Sequence, residues 1–447
     1  MSTQSQRALL LKHSVAEFER RVNALLDYEE TYPQATLGEL EAEARRLSRD
    51  CFAPVLEELL RWRSQEVEGF SQCECGQESE YKGQQKRSQE TFVGRITWQR
   101  GYYYCETCRR GRYPLDEVLG IGPGQFSEGL QEGLCRLGAA LPFVPAAETF
   151  TALTGVSISP REAERLTESR GGALVAQQAQ AQSQALGGQE GTNSAPMPEG
   201  AGVWATSLDA AKVRFDDGWR DVKAGVVFWA QPRWDQGELV GGEATAQSYI
   251  GEVGPMEAAG ARLYTEAVGR GIKPAEDLIV CLGDGAPSNW SQFAWHFPQR
   301  VEVLDWYHGV EHLWAAGNGV FGQGTPEAQQ WVAGRKEELW KGEVEKVLAA
   351  LEQQGFQPGG PAAAAEVHYF ETNRERMRYA EFRAQGYPIG SGTVESACKR
   401  VIGGRLKQAG MCWTKAGAQA VLSLRAELLN GRWDQIWPST RPQLQPA

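Results

Sequence analysis

The feature that most constrains what this chain folds into is a change of pattern near residue 203. Gly187 to Gly202, with five glycines, Asn193, Ser194 and two prolines, reads as a linker. Beyond it, apolar runs of strand length alternate with helical periodicity. Trp204 to Val213, Val222 to Ala230 and Ser248 to Val253 read as strands, the first two as a hairpin across Asp216-Asp217-Gly218. A helix from Pro255 to Arg270, a strand from Asp277 to Gly283, a helix from Asn289 to Phe297 and a strand from Val301 to Leu304 follow. Three hairpin-type strands and then a β-α-β unit predict an α/β fold. From about Glu311 to Arg383 the pattern is helical, with a break at Gly355 to Gly360.

Two strand-like runs end on an aspartate: Val203 to Leu208 closes on Asp209, and Leu278 to Gly283 closes on Asp284. A third carboxylate, Glu395, opens an otherwise basic helix after Pro388-Ile389-Gly390-Ser391-Gly392-Thr393-Val394. Two strand-end aspartates and a distant helical glutamate are the ligand types of a two-metal phosphoryl-transfer site. Hard carboxylate oxygens hold two magnesium (or manganese) ions about 3.5 to 4 Å apart, one activating the nucleophile and one stabilising the leaving oxygen. Lys399, Arg400, Arg405 and Lys407 follow Glu395 at helical spacing and are expected to grip phosphate.

The segments before residue 203 read as modules. Residues 1–70 show helical periodicity, with Phe18, Val22, Leu25 and Leu26 and later Leu56, Leu59, Leu60 and Trp62 on repeating faces. Residues 71–115 carry Cys73 and Cys75, about thirty residues of strand-like sequence, then Cys105 and Cys108. Two cysteine pairs on hairpin knuckles predict a structural zinc ribbon, because four thiolates close the metal's shell. Its interleaved Lys86, Arg87, Arg95, Arg100, Arg109, Arg110 and Arg112 suggest a DNA-facing surface. Residues 120–186 predict three helices. A helix ending at Gly155, a short turn and a Ser159-capped helix with Pro160 at its first position have helix-turn-helix grammar, with Arg161 and Arg165 placed to reach DNA.

Composition sharpens this. The net charge of −11 opposes a nucleic-acid partner at first sight. However, Asp209 to Glu371 holds 24 acids and 13 bases and so carries the whole imbalance, leaving 33 of each elsewhere. An acidic core with basic surrounds suits an enzyme that binds cations and grips phosphate at its periphery. The N-terminus is polar and charged, and no apolar run reaches membrane-spanning length, so a soluble cytoplasmic protein without a membrane partner is expected.

The ordered trio Asp209, Asp284 and Glu395 resembles the DDE transposases. Asp284-Gly285-Ala286, Leu304-Asp305-Trp306-Tyr307-His308 and Pro388 to Glu395 narrow the likeness to insertion-sequence transposases of the ISKra type, over roughly Cys73 to Trp433. The resemblance implies an RNase H-like catalytic core in residues 203–310, an all-helical insertion in 311–385, a helix bearing the third carboxylate in 386–437 and a tail from 438 to 447. It also implies His308 near the scissile phosphate, magnesium dependence and double-stranded DNA substrates, namely terminal inverted repeats and target DNA. A homodimer or higher oligomer on DNA, in a bacterial cytoplasm and associated with the nucleoid, completes the expectation. Two alternatives stand beside it. A catalytically silent DNA-binding regulator would derive from the same scaffold, and His308-Gly309-Val310-Glu311-His312 also fits the HxxEH pattern of a zinc hydrolase.

Overall fold

A computed structural model of the chain describes residues 3–48, 51–67, 72–122, 124–188, 198–355, 360–390 and 392–437. Most of the linker, the break at 356–359, Ser391 and the tail from 438 lie outside these residues. Backbone contacts divide the chain into two units. One comprises Met1–Leu137, Val144–Ala163 and Trp437–Ala447, and the other Gly138–Phe143 with Glu164–Ile436.

The first unit opens with three helices, α1 (Thr3–Thr31), α2 (Leu37–Ser48) and α3 (Ala53–Val67). Thr36 and Glu39 start α2 with a reciprocal cap: the Thr36 N–H donates to Glu39 Oε2 at 2.7 Å and the Glu39 N–H to Thr36 Oγ1 at 3.4 Å. A long hairpin follows, β1 (Glu80–Thr91) and β2 (Gly94–Cys105), with the short β3 (Arg110–Arg112) paired to the end of β2. Alternate β2 residues Ile96 and Trp98 are buried in a small core with Ala53, Leu56 and Leu60 of α3. Leu115 of the short helix α4 (Pro114–Val118) closes that core.

Helices α5 (Glu128–Ala140), α6 (Phe143–Thr154) and α7 (Pro160–Leu186) come next. Gly155 takes a positive φ of 67° past the end of α6, and the Ser159 hydroxyl caps α7 by accepting from the Glu162 N–H at 3.1 Å. The local grammar expected here is therefore present. The alanine- and glutamine-rich stretch after Arg170 continues α7 by several turns.

The second unit is built on a five-stranded sheet. Its strands are β4 (Val203–Phe215), β5 (Gly218–Asp235), β6 (Glu238–Glu252), β7 (Ile279–Gly283) and β8 (Arg300–Leu304), in spatial order β6-β5-β4-β7-β8. The first three form antiparallel hairpins, and β4, β7 and β8 run parallel. Asp216 and Asp217 make the first turn. Gln236 and Gly237 make the second, both at positive φ, the geometry whose twist matches a tight hairpin. Central strands are buried on both faces, as their uninterrupted apolar runs require.

Helices α8 (Met256–Gly269) and α9 (Pro287–His296) are the crossovers on either side of β7. Five helices and a 3₁₀ turn then follow β8: α10 (Trp306–Phe321), α11 (Pro326–Trp340), α12 (Val344–Gly355), α13 (Gly360–Thr372), the turn Arg374–Met377, and α14 (Tyr379–Ala384). The chain returns to the sheet in α15 (Gly392–Ala397), a π-helical turn (Cys398–Gly403) and α16 (Gly404–Leu406). It ends in α17 (Lys415–Leu429) and α18 (Trp433–Ile436). Gly251 lets α17 approach β6 closely, since a Cβ there would lie 2.4 Å from Leu422. The strands run longer than expected; β6 begins ten residues before Ser248.

Candidate functional site

Register places the aspartates. The last paired positions of the parallel β4 and β7 are Ser207 and Leu282, and Asp209 and Asp284 each stand two residues beyond. Gly283 pairs with Leu304, so Asp305 stands beside Asp284 on the next strand. Asp209, midway along β4 and still paired with Ala224 of β5, thus stands level with Asp284 and Asp305, which follow the ends of β7 and β8, and residues in one such row project to the same face.

Each is held differently. Asp284 Oδ1 accepts from the Ala286 N–H at 2.9 Å and from Asn289 Nδ2 at 3.0 Å, and Asn289 also donates to Leu208 O at 3.3 Å. One amide in the first turn of α9 therefore ties both strand ends together. Asp209 Oδ1 accepts from the Ala210 N–H at 2.7 Å. Burial pushes the Asp209 carboxyl above the usual carboxylate range and the Asp284 charge adds to this, while the Ala210 N–H, the Cys398 thiol and His308 pull it down. Asp305 is fully buried and caps α10, accepting from the Tyr307 N–H at 2.8 Å. Its other oxygen lies 3.6 Å from His308 Nδ1. That carboxylate pushes the His308 imidazole up to about 8 against the opposing effect of burial.

Glu395 lies on α15, which packs on β4 and β5. Burial pushes up the thiol of Cys398, one helical turn further, and the nearby Asp209 carboxylate adds to this. The Glu395 carboxylate is largely exposed and pairs with Lys399 Nζ at 2.6 Å. The helix then shifts to π geometry at Cys398, a distortion frequent at functional sites.

The site has contributors that the linear pattern did not disclose. Tyr369 of α13 donates its hydroxyl to Asp284 O at 3.0 Å, and its ring covers Gly285, where an added Cβ would lie 2.6 Å from Tyr369 Cε2. Gly285 also holds a φ of 98°, so this turn requires glycine twice over. His312 stacks on Tyr369 with ring centroids 3.5 Å apart and bonds Glu366 Oε2 through Nδ1 at 2.5 Å. Cys398, Asn289 and Tyr369 are separated from their partners by 189, 5 and 85 residues, and no local spacing signals the two distant ones. The HxxEH histidines have different partners, His308 meeting Asp305 and His312 meeting Glu366. Among the described residues neither these histidines nor Asp209, Asp284 and Glu395 form a close group of three or more metal-ligating side chains.

Cys73, Cys75, Cys105 and Cys108 do form such a group. Their sulfurs all lie within 4.8 Å of one another, with Cys73 to Cys108 at 3.9 Å and Cys75 to Cys105 at 3.7 Å. A tetrahedron with metal–sulfur bonds of about 2.3 Å has edges of about 3.8 Å, so the four thiols could hold a metal such as zinc. The knuckle before β1 is closed by the Gly76 N–H on Cys73 O at 2.9 Å, with Gly76 at a φ of 83°. Donation from Cys108 holds the Cys75 thiol down at about 7.

The basic residues divide. Arg95, Arg109, Arg110, Arg161, Arg165, Lys399, Arg400 and Lys407 are exposed. Arg400 donates to Tyr249 OH at 3.0 Å. Arg112 is drawn onto Glu117 and Gln72 O. Arg87 and Arg100 turn inward to Asp116, with Arg100 also 3.5 Å from the Tyr113 ring, so the ribbon's basic face is smaller than the residue count implies. Arg405 is a correction to the expected phosphate grip. It is fully buried, donates Nε to Gly138 O at 2.7 Å and lies over the rings of Phe143 and Trp413 at 4.6 and 4.9 Å. No phosphate reaches a guanidinium so enclosed.

Among the described residues no helix is long and apolar enough to cross a membrane. No curated protein matches the chain. Residues 33–192 match a family described as an uncharacterised protein family (UPF0236), a match that ends before β4 and the carboxylate site begin.

Proposed function

We propose that this chain is a DNA transposase of the DDE type, whose catalytic core is the RNase H-like sheet of the second unit. The observation that carries the reading is the row of aspartates: Asp209, midway along β4, and Asp284, just past the end of the adjacent parallel β7, stand level in a sheet whose order β6-β5-β4-β7-β8 is the hairpin-then-crossover arrangement expected of that fold. Two partly buried like charges side by side are costly without a counter-charge, and their oxygens suit a hard divalent cation. Asp209 and Asp284 would hold magnesium or manganese, with Glu395 released from Lys399 to complete the shell. When bound, two such ions lower the pKa of water and stabilise the leaving oxygen of the scissile phosphate.

This chain's own residues do the rest. Asn289 fixes Asp284, Cys398 fixes Asp209, and Asp305 orients His308 toward the strand ends, where the raised pKa keeps the imidazolium available to a phosphate oxygen. Lys399, Arg400 and Lys407 grip the DNA backbone beside the site. Arg161 and Arg165 on the capped end of α7, with Arg95, Arg109 and Arg110 of the ribbon, hold the element ends. The four cysteines hold a structural zinc that fixes the ribbon.

The test uses a supercoiled plasmid carrying this gene within its native flanking sequence. With magnesium, the full chain is expected to release discrete 3′-hydroxyl ends at the element boundaries and join them to target DNA. Asp284→Asn is expected to abolish cutting while leaving end binding within a few-fold. Absence of discrete ends with the full chain, or equal cutting by Asp284→Asn, overturns the proposal.

A further inference from the structure

On the side of the sheet edge away from β8, a cavity of about 700 Å³ lies within the second unit between β6, α7, α8 and α17. It exists because small residues line helix positions that would otherwise fill it, among them Ala181, Thr265, Gly269, Ser423 and Ala426. Its volume falls in the range of pockets that enclose small ligands, about 300 to 1,000 Å³. Three arginines line it, Arg262, Arg270 and Arg432, with Glu252, Glu266 and Glu427 set against them.

The arginines are not equivalent. Arg262 Nε pairs with Glu252, and its Nη1 donates to Gln178 Oε1 at 2.7 Å. Arg432 donates Nη1 and Nη2 to the two oxygens of Glu266 at 2.7 and 2.9 Å, and Nε to Glu427 at 2.6 Å. Glu266 stands one helical turn before Arg270 and its charge acts on it, while both Glu266 oxygens accept from the Arg432 fork. Among the described residues the Arg270 side chain bonds to no acceptor. It is only 8% exposed, its guanidinium backs onto the Trp204 ring at 5.1 Å, and its Nε is buried with no hydrogen-bond partner among the described residues. Buried cationic donors without acceptors are costly, and a solvent-connected cavity beside one supplies room for the missing anion.

We infer that this cavity is a binding site for a small oxyanion-bearing molecule, a phosphate ester or a carboxylate up to the size of a nucleoside monophosphate, with Arg270 as its anchor. Gln177, Gln182 and Gln435 line the same cavity and offer amide donors and acceptors to the rest of such a ligand. The site is separate from the aspartate row and does not depend on the transposase reading. Tyr249 connects the two, because it lines the cavity while its hydroxyl accepts from Arg400 beside the Glu395 helix.

Calorimetric titration of the full chain, in a buffer free of phosphate and carboxylate, tests this with inorganic phosphate, adenosine monophosphate and citrate as probes. At least one is expected to bind with a Kd below about 1 mM. Which arm responds separates phosphate esters from carboxylates. Arg270→Met keeps the length and the contact with Trp204 while removing the charge, and is expected to weaken binding by about tenfold to a hundredfold. Gln182→Trp, at a partly exposed helical position on the cavity wall, obstructs the space without touching Arg270 and is expected to weaken binding as well, so the test survives if Arg270→Met does not fold. The inference is overturned if none of the three probes binds the parent chain below about 1 mM. It is equally overturned if every folded variant titrates like the parent.

Discussion

Arg405 separates a phosphate-gripping helix from a structural one, and the sizes of its interactions set the expectation. Truncation to alanine removes a charged hydrogen bond to Gly138 O, about 1.5 to 3 kcal/mol. It also removes contacts with two aromatic faces, about 0.5 to 2 kcal/mol each when desolvated, and leaves a void between Phe143 and Trp413. Against these stands the cost of burying the charge. Burial pulls the guanidinium down to about 10 from the usual 12.5, worth about 3 kcal/mol in the folded state. Arg405→Ala forfeits the contacts, opens the void and recovers only the burial cost, so a net loss of about 2 to 4 kcal/mol is expected, a fall in melting temperature of about 5 to 15 °C. Arg405→Met fills most of the space without a charge and should lie within about 1 kcal/mol of the parent. DNA binding measured against salt concentration is the discriminating assay. Neither variant should change the log-log slope when measured below its melting transition, whereas Lys407→Ala should flatten it by about one unit. A flattened slope in Arg405→Met with an unaltered melt would refute the buried assignment.

Native mass spectrometry should find one zinc per chain, lost in the Cys105→Ala, Cys108→Ala double variant; a parent protein without zinc contradicts the ribbon. In metal-free protein His308 should titrate by NMR near 8, and Asp305→Asn should lower that midpoint. Because the folded pKa is raised above the ordinary 6.5, the stability His308 contributes should be complete below about pH 6.5 and vanish as pH rises through about 8; a pH-independent difference from His308→Ala would count against it. Tyr369→Phe removes one hydroxyl from Asp284 O at a cost of about 1 kcal/mol in stability, and is expected to raise the magnesium concentration for half-maximal cutting; an unchanged magnesium dependence in an active protein would show that Tyr369 does not position Asp284.

Much of the second unit was legible where its strands are apolar runs ended by turn residues, most closely in the short β7 and β8. Ile279–Gly283 and Arg300–Leu304 fall within two residues of expectation, and Asp284 follows the end of β7 as the pattern put it, whereas Asp209 does not close its strand, because β4 continues to Phe215 against β5. β6 was read late because Glu238 to Gln247, with two glycines, lacks the apolar alternation that marks a strand; backbone pairing to β5 recruits it. Gln236-Gly237 was the available turn signal. Charge was the less reliable guide. A run of bases states nothing about which face each occupies, so Arg87, Arg100 and Arg405 looked like DNA contacts although Asp116 and two aromatic rings enclose them. Cys398 and Tyr369 were beyond reach because their roles arise from contacts to Asp209 and Asp284 that only the tertiary fold creates.

The central claim is a two-metal carboxylate site, and anomalous diffraction from crystals grown with manganese measures it directly. The account predicts two manganese peaks about 3.5 to 4 Å apart, one bridged by Asp209 and Asp284 and the other reached by Glu395 after it leaves Lys399. Peaks absent from the strand ends, or a Glu395 carboxylate still more than about 10 Å from both aspartates with metal bound, would contradict it.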